Sequence, residues 1–159
     1  MANRRRVITS QDDARRLRAL STLLRFYGVL TLIIFSALLA GFAIQTPLLS
    51  DDPKGALNWV IWNGIRCGKE PCYVPPMLFI IHIVWGVFFF VAARRPLAHV
   101  SFLVFTAWAY LAHGLLMTGQ ALIHFGMQWH RFLMDIPYEL IVALGIFYWG
   151  PSLSLEGDR

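Results

Sequence analysis

The stretch Val100–Ile123 reads VSFLVFTAWAYLAHGLLMTGQALI, 24 residues without a formal charge and with a single histidine, His113, near its centre. As a helix rising 1.5 Å per residue it would extend about 36 Å, enough to cross roughly 30 Å of hydrocarbon. Three more apolar runs, residues 23–44, 77–93 and 132–149, are also long enough, the last two near the lower limit. Pro137 falls at the sixth position of the last run, within the first turns, where few backbone bonds are lost. Composition agrees: of 159 residues 57% are apolar and 14% aromatic, and the mean hydropathy of +0.57 lies outside the range of a soluble domain. The expected fold is all-α, a four-transmembrane-helix bundle. Residues 23–149 would form one membrane domain, with a basic segment 1–22 before it, a tail 150–159 after it, and one longer outer loop, 45–76.

Orientation follows from the basic residues. Arg4, Arg5, Arg6, Arg15, Arg16, Arg18 and Arg25 lead into the first run, Arg94 and Arg95 fill the second loop, and Arg159 ends the tail, whereas the other two loops carry Lys54, Arg66, Lys69 and Arg131. This asymmetry predicts cytoplasmic termini on both ends. The net charge of +5 then reflects topology and contact with anionic lipid heads, and the abutting membrane span argues against a nucleic-acid partner. Arg4-Arg5-Arg6-Val7-Ile8 has a loose likeness to an export signal, but arginines continue to Arg25 and the apolar run is longer than a signal core, so it reads as a retained anchor. Ser10 followed by Asp13 has the form of a capping box, which would start a helix at the membrane surface.

The outer loop holds Trp59 and Trp62, spaced for a short interfacial helix, and the pair Cys67 and Cys72. Both cysteines fall on the oxidising side with Gly68 and Pro71 between them, which favours a structural disulfide. Four-helix quinone-linked thiol oxidases also carry outer cysteines, but they need a compact Cys-x-x-Cys and usually a second pair, and neither is present. Two thiolates without a nearby histidine make a poor structural metal site.

Chemistry is expected in the outer half of the bundle. His113, Met117, Gln120 and His124 recur at spacings of four, three and four, one stripe of a helix that should face the interior. Gly114 and Gly119, with Ala107 and Ala112, should let this span approach its neighbours closely. Asp135 and Glu139 share a face of the last span, and His82 lies one turn from Gly86. Counted inward from the outer ends, Glu139 lies about 9 Å deep, His82 about 8 Å, Gln120 about 5 Å and His113 about 15 Å. Glu139, His82 and Gln120 would therefore form a layer, with His113 reached through Met117 and Gln120.

Such a cluster can coordinate a metal, carry a proton, or bind the polar head of an apolar ligand such as a quinone or lipid. It can equally serve packing, with His82 bonded to Glu139 and His113 to a backbone carbonyl or Tyr110. His124, His130 and Asp135 could make a shallow metal site, although histidines in a short outer loop are commonly just solvated. Bis-histidine haem between His82 and His113 is disfavoured by a depth difference of about 7 Å.

The string Arg95-Pro96-Leu97-Ala98-His99-Val100-Ser101-Phe102, followed by Phe105-Thr106-Ala107-Trp108, His113, Met117, Gln120-Ala121, Asp135 and Pro137, resembles a family of small bacterial four-helix membrane proteins of unknown function. The likeness runs from about Met77 onward. It implies a four-span fold and an interest in the positions of His113, Met117, Gln120 and Asp135, and it implies no reaction. His82, Glu139 and the cysteine loop depart from the family pattern.

Together these features lead to the expectation of a bacterial inner-membrane bundle that binds an apolar ligand, a lipid or a partner subunit, as a homo-oligomer or an accessory chain of a larger complex. The rival is a metal-dependent or quinone-linked redox enzyme using His82, His113, Glu139 and the cysteines. Proton-coupled transport stands third, because four spans rarely enclose a pathway without oligomerisation.

Overall fold

The computed structural model describes residues 11–44 and 74–150. Ser10, Trp59, Trp62 and the expected Cys67–Cys72 disulfide lie outside the described residues. Within them the chain is helical: α1 Gln11–Ala43, α2 Val74–Arg94, a 3-10 turn Pro96–Ala98, α3 Val100–Ile123, a short α4 Phe125–Gln128, a second 3-10 turn Trp129–Phe132, and α5 Asp135–Trp149. Four segments are long and apolar enough to cross a membrane: Asp12–Ala43, Pro76–Arg94, Val100–Ile123 and Trp129–Trp149.

Helix α1 includes Gln11 and runs on into the apolar stretch from residue 23, as the Ser10–Asp13 pattern leads one to expect. Asp12 and Asp13 in its first turn complement the helix dipole, and the Ala, Arg and Leu residues that follow are strong helix formers. The last crossing segment begins at Trp129 rather than at residue 132, because the 3-10 turn Trp129–Phe132 adds to it. Pro137 is the third residue of α5, where its missing N–H would have had no helical partner.

Helix α1 packs most extensively on α2 and α3 on α5, with α1 also touching α5. Between α2 and α3 the contact is made by large rings: Trp85 stacks on Phe105 at 5.7 Å and meets Tyr110 edge-on at 5.2 Å, and Phe89 contacts Phe102 and Tyr110. The Trp85 indole N–H donates to Thr106 Oγ1 at 3.0 Å. Successive crossing helices thus neighbour one another, and α5 closes back on α1. The core is built from Leu20, Leu24, Phe89, Leu103, Val142 and Ile146 together with Tyr27 and Tyr110. Phe26, Ile33, Phe105, Trp108, Leu116 and Leu144 are exposed, the side-chain types that suit contact with lipid.

The predicted close approaches of α3 hold in part. A Cβ on Gly114 would meet Leu140 Cδ2 at 2.8 Å, and Ala107 is fully buried. Gly119 has nothing within 4 Å of such a Cβ, and Ala112 is exposed, so neither brings a neighbouring helix close. The buried stripe of α3 runs through Leu103, Tyr110, Gly114, Met117 and Ala121. Each of Ala112, Gly119 and Gln120 lies off its centre.

Candidate functional site

Helix α5 carries Asp135 in its first turn and Glu139 one turn later, and Glu139 is 5% exposed. Opposite it stands Gly114 of α3, whose missing side chain lets the backbones close: a Cβ there would lie 3.2 Å from Glu139 Cβ. Thr118 Oγ1 donates to the Gly114 carbonyl at 2.7 Å, so the hydroxyl is satisfied within α3. His113, the neighbour of Gly114, places Nδ1 3.6 Å from Glu139 Oε1. That separation is too long for a hydrogen bond but close enough for contact between the two groups. The two side chains differ in access, His113 being 50% exposed and Glu139 7%. The carboxyl group is sealed in the bundle while the imidazole reaches its surface.

This pairing corrects the expected layer. Glu139 contacts His113, not His82, and the depth count failed because it started the last span three residues late. Measured from Trp129, Glu139 is ten residues in, about 15 Å, the same depth as His113 measured from Ile123. His82 instead bonds within its own helix, its Nδ1 lying 2.8 Å from the Leu78 carbonyl, which can only accept. Its ring stacks on Phe35 at 4.2 Å and 15°.

The polar stripe of α3 straddles the boundary of the bundle. Met117 is buried, whereas Gln120 and His124 are exposed and His113 is half so. His113 and Gln120 each precede a buried residue, Gly114 and Ala121, and one residue is about 100° of rotation. They therefore sit on the flank of α3, with exposed Leu116 between them.

Behind Glu139 lies a group of hydroxyls that the sequence reading did not single out. The Tyr138 ring is 5.3 Å from Tyr27 and 6.2 Å from Tyr110, and its hydroxyl bonds to Thr31 on α1. The Tyr110 hydroxyl is shielded from solvent. All three tyrosines lie within electrostatic range of Glu139. The available signal was polar rings within apolar runs on separate helices, but nothing in linear spacing says that they converge.

Among the described residues no three His, Cys, Asp or Glu side chains are grouped to hold a metal ion. The expected trio is dispersed: His124 caps the end of α3, His130 sits in the 3-10 turn, and Asp135 opens α5. His130, expected to be solvated, is 2% exposed. Arg131 lies within electrostatic range of Asp135, His130 and His113, a cation in the connection between α3 and α5.

No protein-family model matches the chain, and neither does any curated protein or any solved structure. The functional reading therefore rests on the geometry of the chain itself.

Proposed function

We propose that this protein is a multi-pass membrane bundle that binds the polar head of an otherwise apolar ligand, a quinone or a lipid, at His113 and Glu139. The supporting observation is the sealed Glu139 carboxyl held 3.6 Å from an imidazole that is half open at the bundle surface. An ionisable pair at this depth is costly in hydrocarbon and is kept where it serves a ligand, a proton or a partner. The imidazole can donate or accept a hydrogen bond toward a head group, and Glu139 behind it fixes the orientation of the ring. Exposed Leu116 and Gln120 flank His113 on α3, a surface along which an acyl or isoprenoid tail would lie. The bundle sits in a bacterial inner membrane with both termini cytoplasmic, a reading supported by the basic residues gathered at one end. It acts as a homo-oligomer or with other membrane subunits.

The alternative is quinone-linked redox chemistry. Its support is the tyrosine group near Glu139, whose hydroxyls, that of Tyr138 bonded to Thr31, would serve proton transfer to a bound quinone taking its electrons from a separate redox partner protein.

The test is gentle-detergent purification followed by organic extraction, mass spectrometry, an absorption spectrum and metal analysis. Wild type is expected to retain one amphiphile at about one per chain, and His113→Ala and Glu139→Gln to lose it. Equal, non-stoichiometric lipid in all three preparations would reject the ligand site. A quinone that wild type retains and turns over with an added electron donor, with turnover lost in Glu139→Gln, would select the enzyme reading.

A further inference from the structure

A second site lies where α1 and α2 meet. Gly28 of α1 admits Phe90 of α2: a Cβ there would lie 2.8 Å from Phe90 Cε2. Gly86 sits against Leu32 and Thr31 in the same antiparallel register. One turn further along, three residues before Gly28 and four after Phe90, stand Arg25 and Arg94. Register alone brings these two arginines to one level, and both are exposed. Arg95 follows at the start of the Pro96–Ala98 turn, which packs on α1, α2 and α3.

Among the described residues no carboxylate pairs with this group. The acidic side chains there are Asp12, Asp13, Asp135 and Glu139. Asp135 and Glu139 belong to α5, where Glu139 is sealed from solvent, and Asp13 is twelve residues from Arg25 along α1, about 18 Å. Neither Arg25 nor Arg94 has an ion-pair or side-chain hydrogen-bond partner among the described residues. Arg16 is differently placed: its Nη2 donates to the Tyr148 carbonyl at 2.6 Å, tying α1 to the end of α5.

Depth identifies the counter-charge. From Arg25 to Ala43 helix α1 rises about 27 Å, close to the roughly 30 Å of a hydrocarbon core. The crossing segment Pro76–Arg94 ends at Arg94, so Arg94 and Arg25 at its level stand near a membrane boundary, where the available anions are lipid phosphates, and like charges at one level favour an anion that bridges them.

We propose that Arg25 and Arg94, with Arg95 next in the chain, form a phosphate site for an anionic phospholipid seated against the end of the α1–α2 pair. The site is independent of the His113–Glu139 pair and takes the head group rather than the tail as its point of recognition.

The test uses full-length protein in neutral detergent, supplied with phosphatidylglycerol, phosphatidylcholine or inorganic phosphate, and reads lipid retention by native mass spectrometry together with the melting temperature. Phosphatidylglycerol is expected to be retained over phosphatidylcholine and to raise the melting temperature, with the preference falling about fivefold per arginine in Arg25→Gln and Arg94→Gln. Arg15→Gln/Arg18→Gln removes two charges from the start of α1, seven or more residues before Arg25, and is expected to keep the preference. If Arg25→Gln does not fold, Arg94→Gln alone, at the end of α2, carries the test. An equal loss in the Arg15/Arg18 variant, or an equal preference in wild type and Arg94→Gln, would overturn the site. An equal thermal shift from inorganic phosphate would overturn its assignment to a lipid.

Discussion

The Nδ1 atom of His113 lies 3.6 Å from Glu139 Oε1, joining α3 to α5 at a level where the imidazole is half open and the carboxyl group is sealed. Glycine at position 114 makes the approach possible, since α3 presents no side chain to the backbone that carries Glu139. The remaining consequences can be measured.

Coupling between these two residues is expected from a double-mutant cycle. His113→Ala and Glu139→Gln should be non-additive by about 0.6–1.7 kcal/mol, the range found for polar contacts between membrane helices. His82→Ala with Glu139→Gln should be additive to within about 0.5 kcal/mol, because His82 bonds Leu78 and stacks on Phe35. Reversible unfolding in mixed micelles checks both cycles, and the opposite pattern would return Glu139 to His82.

Two glycines on α3 should respond with opposite signs. Gly114→Ala places a methyl group against Leu140 and Glu139 and is expected to destabilise by about 1–3 kcal/mol. Gly119→Ala meets open space, and the higher helix propensity of alanine should stabilise by up to about 1 kcal/mol. A stabilising Gly114→Ala would contradict the close approach of α3 and α5.

Trp85 and Thr106 provide a test of how α2 is held to α3. Trp85→Phe keeps an aromatic ring but removes the indole donor to buried Thr106, for an expected cost of about 1 kcal/mol. Thr106→Val leaves the indole N–H without its acceptor and should cost a similar amount. The double variant should recover part of the sum. Full additivity would indicate that the hydrogen bond contributes nothing.

Topology can be read with single cysteines in a chain whose Cys67 and Cys72 are serine. Gly126 has open space around it in the α3–α5 connection, and Leu97 is exposed in the α2–α3 turn. A membrane-impermeant maleimide applied to intact cells is expected to label Gly126→Cys and to reach Leu97→Cys only after lysis. Labelling in the reverse order would invert the proposed orientation.

Much of the fold was legible in the chain because hydrocarbon leaves few choices. An apolar run of sufficient length must satisfy its own backbone bonds, and a helix does so within the segment. Val100–Ile123 coincides with α3 to the residue. The start of α1 carries no hydropathy signal, since its basic segment continues the helix past the apolar run, and it was legible only from the Ser10–Asp13 pattern. For the site, residue types were informative and partners were not. His113 and Glu139 stand out as ionisable groups within apolar runs, yet His82 was an equally plausible partner until the span boundary and the rotation of each helix were known. Tyr27, Thr31, Tyr110 and Tyr138 are unremarkable one by one and form a group only when helices α1, α3 and α5 converge.

The sequence by itself determined that four helical segments are long and apolar enough to cross a membrane, and which ionisable groups fall within them, because both follow from local composition and a rise of about 1.5 Å per residue. Only the tertiary structure decided that Glu139 meets His113, that Met117 turns inward while Gln120 turns outward, and that Arg25 and Arg94 share a level. Those outcomes depend on helix rotation and register, which are fixed by glycines and bulky side chains fitting across separate helices: Gly114 against Leu140, Gly86 against Leu32, and Gly28 against Phe90.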